Sequence, residues 1–333
     1  MTLTASIPLQ ADLAYETPPH KNVLVIKLGA LGDFIQALGP MAAIRRHHPD
    51  ADITLLTTQP YVSFGLACGY VNRVWTDSKP GWTDVKGWLS FRKKLTSAGF
   101  DRVYDLQNND RTALYLRLFP SARRPEWVGA ASGASHRNNS PERTAGHAIE
   151  GHIQTLALAG IHDVVIDDLR WVEGNLQRFM QENGLRKPYV LLVPGASPER
   201  PEKRWPAQNY AQIARLIDGW GFQPVIIGTR HETFLAETIC RTHPATIDLT
   251  GKTALFDIAV LARHAAGAIG NDTGPMHMIA PTGCPSLVLF SKHSNPVRHA
   301  PCGPIVKTHQ VEDLSTLSVD DVTGFLSARW FRQ

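Results

Sequence analysis

The chain has 333 residues, of which 43% are hydrophobic and 19% charged. That is enough apolar material for two domains with sizeable cores, and it excludes a disordered polymer. The net charge of +4 suits an anionic small molecule or a membrane surface and does not require nucleic acid as a partner.

Residues 1–20 carry Asp12 and Glu16 and lack a basic start followed by an apolar block. They read as a flexible N-terminal extension rather than an export signal. No run reaches the ~20 apolar residues that span a bilayer. The four cysteines show no CxxC spacing, so reduced thiols in the cytoplasm are the expectation. The first strong element is Val23–Leu28, a β-branched run expected for a strand buried on both faces. A glycine turn, Gly29-Ala30-Leu31-Gly32-Asp33, leads into a helix from Phe34 to about His47. Strands follow at Ile53–Thr57 and Val103–Leu106, with a basic helix Trp88–Ala98 between them. The pattern restarts after Lys187-Pro188. Tyr189–Val193 reads as a strand, Tyr210–Trp220 as a helix, Pro224–Gly228 as a strand and Glu232–Cys240 as a helix. Ala265–Ile269 and Ser286–Phe290 read as the last strands, and Val319–Arg332 as a terminal helix. Strand–helix alternation in two halves predicts an α/β fold with parallel sheets and a ligand cleft at the carboxyl ends of the strands.

Three turns at such ends carry polar chemistry. Gly270-Asn271-Asp272-Thr273-Gly274-Pro275-Met276-His277 joins a strand to a helix, with Thr273 as N-cap and Pro275 near the first helical position. It is either a backbone N–H site for phosphate oxygens, with Gly274 having no Cβ to block them, or a plain junction. Lys203-Arg204-Trp205-Pro206 offers two cations to a diphosphate, or a solvated pair before a helix. Asp33 follows the glycines Gly29 and Gly32. It is either a general base aimed at the cleft or a cap for its helix. The turn is not GxGxxG and no GxxxxGK[ST] occurs, which disfavours a dehydrogenase and a P-loop enzyme. No HxxxH or HExxH spacing occurs, and Asp50-Ala51-Asp52 falls at the amino end of a strand, so no metal site is expected. Lys86–Leu95 and Arg111–Trp127 mix cations with aromatics. They read as an anionic lipid surface contact, as a site for a phosphorylated acceptor, or as ordinary exposed helix and loop.

Taken in order, Lys27-x-Gly29-x-x-Gly32-Asp33, Lys203-x-Trp205-Pro206 and Asp272-Thr273-Gly274-Pro275-x-His277 resemble glycosyltransferase family 9, the heptosyltransferase family of lipopolysaccharide core synthesis. The resemblance runs from about Lys21 to about Pro304. It implies a GT-B fold of two Rossmann-like domains facing a cleft. Residues 21–185 would form the acceptor domain and 188–315 the nucleotide-sugar donor domain. The helix 319–333 would pack back on the first domain. The implied reaction is inverting, metal-independent transfer of heptose from ADP-heptose, with no cofactor beyond that donor. The acceptor would be a lipopolysaccharide-core or related glycan, lipid-linked or a free oligosaccharide. The implied location is cytoplasmic, with a peripheral contact at the cytoplasmic face of the inner membrane. By the same resemblance Asp33 is the catalytic base and Lys203 binds the diphosphate. Asp272, Thr273 and Gly274 hold diphosphate and sugar, and His277 lies just inside the helix behind them. Glu232, after Gly228-Thr229-Arg230-His231, binds the donor ribose. Ser291-Lys292-His293-Ser294 departs from the family's usual Gly-Pro-Thr. Two rivals remain at this point: a non-catalytic nucleotide-sugar-binding protein, and a GT-B-like sugar-nucleotide epimerase, which wants several acids in the cleft.

Overall fold

Val23, Leu24, Val25 and Ile26 are all wholly buried. Only a strand covered on both faces meets that pattern. In the computed structural model, which describes residues 20–326 and 330–332, these residues form β1 (Asn22–Ile26) at the centre of a parallel sheet. Its partners are β2 (Asp52–Thr57), β3 (Arg73–Thr76), β4 (Arg102–Asp105), β5 (Glu126–Gly129) and β6 (His136–Arg137). The order is β3-β2-β1-β4-β5-β6, with Val25 level with Leu55 and Tyr104. A second sheet holds β7 (Tyr189–Val193), β8 (Gln223–Ile226), β9 (Ile247–Asp248), β10 (Gly267–Asn271), β11 (Ser286–Ser291) and β12 (Val306–Val311). Its order is β12-β11-β10-β7-β8-β9, the same winding as the first. In both sheets the winding reverses beside the first strand, between β1 and β4 and between β7 and β10. Such switch points open a crevice at the carboxyl ends.

Two helices close the seam between the sheets. Leu31–His47 follows β1 and Gly274–Ile279 follows β10. Phe34, Leu38 and Met41 of the former share one buried cluster with Met276, Met278 and Ile279 of the latter. The two cleft turns are therefore anchored to one apolar core.

Several expectations need correction. The first helix begins at Leu31, so Asp33 lies within its first turn. The expected terminal helix over 319–333 is a short helix, Val319–Thr323, and a 3₁₀ turn, Trp330–Arg332, the residues between 326 and 330 lying outside those described. Val322, Leu326, Trp330 and Phe331 are buried in a cluster with Val190, Leu192, Ile269 and Leu287 of the second sheet. Among the described residues the segment thus packs on the second domain and not on the first, because its apolar side chains find their burial there. The expected extension over residues 1–20 lies, His20 apart, outside the described residues.

Candidate active site

The turn after β1 brings Asp33 into the cleft. Gly29 has φ of +126°, a conformation other residues rarely adopt, and a Cβ there would lie 2.7 Å from the Tyr61 ring. Thr58 Oγ1 donates to the Leu28 carbonyl at 2.9 Å and holds the same turn from the β2 side. The N-cap of the helix is Ala30, with no side-chain cap. Asp33 therefore does not cap it. Among the described residues no hydrogen bond engages the Asp33 carboxylate. Beneath it lies Lys27, only 4% exposed, whose Nζ donates to the Leu106 carbonyl at 3.1 Å. Burial lowers the Lys27 pKa, while the charges of Asp33 and Asp105 oppose that shift.

The second domain contributes an ion pair. Lys203 Nζ lies 2.7 Å from Asp272 Oδ2, with the two side chains 17% and 7% exposed. Ser294 Oγ donates to the same oxygen at 2.5 Å. Ser294 comes from the segment that departs from the family pattern, so this departure supplies a site residue. Arg204 is not a solvated cation: its Nη2 donates to the Ala196 carbonyl at 3.0 Å and braces the turn after β7.

Asn271 ties these pieces together. It is wholly buried. Its Oδ1 accepts from the Trp205 N–H at 3.1 Å and the Tyr210 hydroxyl at 3.0 Å. Its Nδ2 donates to the carbonyls of Pro194 at 2.8 Å and Gly195 at 3.2 Å. One amide thus fixes three site segments. A buried group that loses its partner costs about 1–3 kcal/mol. Asn271→Leu orphans several at once and should lower stability by about 3 kcal/mol or more in urea unfolding. A loss under about 1 kcal/mol would mean that the bracket is not what holds the turns.

Glu232 lies at the carboxyl end of β8. Its Oε2 accepts from the Thr229 N–H at 2.6 Å and the Thr229 hydroxyl at 3.0 Å. Its Oε1 occupies the space where a side chain at Gly195 would begin, 1.6 Å from an ideal Cβ.

At the seam, Gly32 and Gly274 are places of close approach. A Cβ at Gly32 would sit 2.7 Å from the His277 ring, and one at Gly274 would sit 2.9 Å from Leu31 Cδ2. The small residue at Gly274 therefore makes room for the opposite domain as well as for the cavities it lines. His277 Nδ1 lies 3.2 Å from Gln36 Nε2, a hydrogen bond between the domains. Burial holds the His277 pKa down at about 4 against the opposing charges of Asp272 and Asp33. His152 and His48 are likewise pushed down to about 3, mainly by burial. For all three rings the folded pKa lies below the unfolded ~6.5, so the unfolded chain binds more protons below that pH. Their stabilisation is present above pH ~6.5 and is lost as pH falls towards ~4. Asp105, raised to about 6 by burial, acts in the opposite sense as a single group. Thermal melts should give a lower Tm at about pH 5 than at about pH 7.5, and His277→Gln should narrow the gap. Equal melting points would mean that these rings accept protons in the fold.

Three cavities meet at these residues. One of about 430 Å³ is lined by Gly32, Asp33, Gln36, Arg200, Lys203, Asp272, Thr273, Gly274 and His277. The segment Ser294–Asn295 and the rings of His293 and His299 complete its wall. The second, about 510 Å³, holds Glu232, Thr229, Arg204 and Phe234 and shares Gly32, Thr273 and Gly274 with the first. A third, about 260 Å³, shares Asp33 and His299 with the first and is lined by Lys27, Arg143, His152 and Arg298. Every expected site residue except Gly29, which shapes the turn from behind, lines one of them. Sequence reasoning missed Arg200, Gln36, His299 and the Arg143–Arg298 wall. Arg200 lies in a loop, Arg143, Arg298 and His299 in four-residue helices and Gln36 inside the first helix, none of them in a motif; the charge of the three arginines is the one signal the sequence offers. Among the described residues no three His, Cys, Asp or Glu side chains form a metal-ligand group.

The family model described as "Glycosyltransferase family 9 (heptosyltransferase)" matches residues 88–317. That span contains Lys203, Glu232, Asp272 and His277, but not Asp33. Lipopolysaccharide core heptosyltransferase OpsX of Haemophilus influenzae is 23% identical over 307 residues, covering 86% of this chain and 83% of its own. Among solved structures, a glycosyl transferase family 9 protein of Veillonella parvula superposes with a TM-score of 0.77 at 21% identity, covering 91% of this chain and 95% of that one. ADP-heptose lps heptosyltransferase II of E. coli gives 0.72 at 20% identity, covering 93% and 99%. The two parallel sheets facing a cleft are a GT-B fold. The chain is a glycosyltransferase enzyme and belongs to glycosyltransferase family 9, the heptosyltransferases.

Proposed function

We propose that this enzyme is an inverting, metal-independent glycosyltransferase that moves heptose from ADP-heptose onto a lipopolysaccharide-core or related glycan acceptor. The observation that carries this reading is the place of Asp33: a carboxylate without a hydrogen-bond partner among the described residues, in the wall between a cavity holding Lys203 and Asp272 and a separate cation-lined cavity. The nucleoside is assigned to the Glu232 cavity, where the carboxylate accepts from ribose hydroxyls. The diphosphate lies along Thr273 and Gly274, which both donor cavities share. There it meets Lys203 and Arg200, and the Gly274 N–H at the helix start; Pro275 has no N–H and the Met276 N–H donates to the Thr273 carbonyl at 3.1 Å. The acceptor enters beside Lys27, Arg143 and Arg298, whose charges favour an anionic glycan. It is a lipid-linked acceptor or a free oligosaccharide. The location is cytoplasmic and peripheral to the membrane; no described helix is long and apolar enough to cross one.

Asp33 takes the proton of the acceptor hydroxyl as its oxygen attacks the anomeric carbon. The bond from that carbon to the diphosphate oxygen breaks on the opposite face, and its electron pair leaves with ADP. Lys203 and Arg200 meet the charge that develops there, so the leaving group does not depend on a metal ion. A pure nucleotide-sugar binder has no use for an unpartnered base at this point. An epimerase wants several free acids, whereas Asp272 is engaged by Lys203 and Ser294, and Glu232 by Thr229.

The test is donor-dependent stabilisation followed by transfer. ADP-heptose at 100 times its Kd should add ~2.7 kcal/mol to unfolding stability, with GDP-, UDP- and TDP-sugars adding less. Transfer should persist in excess chelator. A clear preference for another nucleotide overturns the donor assignment. Activity lost to chelator and restored by Mg²⁺ overturns the leaving-group chemistry.

A further inference from the structure

The face built from Trp82 and the helix Val85–Ser97 has no part in the cleft chemistry. Trp82, Val85 and Leu89 are 74%, 66% and 59% exposed. The helix start is fixed by Asp84, whose carboxylate accepts from the Gly87 N–H at 2.8 Å. Val85 and Leu89 then stand one turn apart on one stripe, and Arg92 and Lys93 continue it. Lys79, Lys86, Arg92 and Lys93 are exposed around these apolar groups, with Asp84 as the acid among them. Trp82 is not a loose tip. The Arg111 guanidinium lies 5.9 Å from its ring and 5.6 Å from that of Trp88. Trp88 Nε1 donates to the Gly81 carbonyl at 3.0 Å, and Arg111 donates to the Pro80 carbonyl at 3.2 Å. At the base of the loop, buried Asp77 accepts from the Tyr115 hydroxyl at 2.6 Å and the Lys79 N–H at 2.8 Å. The loop is built to hold an indole in solvent.

We infer that this face docks the enzyme on an anionic lipid bilayer, with Trp82, Val85 and Leu89 entering the headgroup boundary. Charge complementarity selects this occupant: a ring of cations around an aromatic and two aliphatic side chains matches an anionic interface. An acidic protein surface would engage the cations and leave the apolar groups in water. The position fits as well. The loop follows β3 and leaves the carboxyl end of the first sheet, as the Asp33 turn does after β1, so the bilayer and the acceptor entrance share one rim. This last point rests on the transfer reading and its lipid-linked acceptor; the docking surface itself does not.

Vesicle co-sedimentation tests the inference with the full chain. Wild type should bind vesicles containing phosphatidylglycerol and bind pure phosphatidylcholine vesicles at least about 10-fold more weakly. The variants Trp82→Ser/Leu89→Ser and Lys86→Glu/Lys93→Glu should each weaken binding to the anionic vesicles by about 10-fold or more. ADP titration by calorimetry should be unchanged in both, since neither pair touches the cleft. Failure of wild type to bind, or equal binding by the variants, overturns the docking face. So does a concentration-dependent dimer that the first variant abolishes, which would make the patch an interface between two copies. A wild type that binds vesicles but no ADP overturns the donor assignment and leaves the docking face standing.

Discussion

Asp33→Asn should cut turnover by ~10²-fold or more while leaving ADP affinity within about threefold of wild type. The amide is nearly isosteric with the carboxylate and cannot take a proton. Because Ala30 is the N-cap and Asp33 accepts no hydrogen bond among the described residues, the exchange breaks no contact that holds the turn. The loss of a negative charge in the first turn of the helix costs about 0.3–1 kcal/mol of stability and little else. One neighbour does respond. Buried Lys27 loses one of the two carboxylates that support its charge, and its pKa falls further. Circular dichroism should register an intact fold, and single-turnover kinetics with saturating donor should register the missing base. Turnover within about threefold of wild type would remove Asp33 from the chemistry. Equal losses of turnover and of ADP affinity would make it a donor-binding group instead.

What could be read in the chain and what could not follows the physics of burial. β1, β7 and β11 are wholly or almost wholly buried runs of β-branched and large aliphatic residues. Such runs announce a strand covered on both faces. β3 and β12 are edge strands whose residues are exposed or half-buried, and their few apolar residues, Val74 and Trp75 in one and Val306 and Val311 in the other, form no continuous apolar run in the sequence. β6 and β9 are two residues long and leave no pattern at all. The site divides in the same way. Asp33, Lys203, Glu232 and Asp272 stand beside glycine turns at strand ends, where local sequence identifies a ligand-facing position. Gln36 and His277 meet only because two helices from different domains pack side by side. Arg143 and Arg298 converge across 155 residues on the third cavity. The terminal segment departs from expectation for a related reason. Its apolar residues reveal that it must be buried, but a sequence does not say against which domain.

Lys203→Ala should weaken ADP by about 10-fold or more and weaken AMP by clearly less. Two effects add. The leaving phosphate loses a charge-assisted contact, and Asp272 loses the cation that neutralises it. The Asp272 side chain is 7% exposed, so the stranded carboxylate is poorly screened by water and repels the incoming phosphates. The Ser294 hydroxyl remains on the same oxygen and replaces one hydrogen bond but no charge. This predicts a specific non-additivity. Asp272→Asn in the Lys203→Ala background removes the stranded anion and should recover part of the lost ADP affinity, whereas independent sites would show no such recovery. Calorimetric titration of ADP and AMP on wild type, Lys203→Ala and the double variant separates the cases, with circular dichroism checking each fold. ADP affinity like wild type in Lys203→Ala would mean that the diphosphate does not lie against Lys203 and that the cleft face has been misassigned. Equal weakening of ADP and AMP would place Lys203 on the phosphate that both nucleotides share. The developing charge at the terminal phosphate would then have to be met by Arg200, which lines the same cavity.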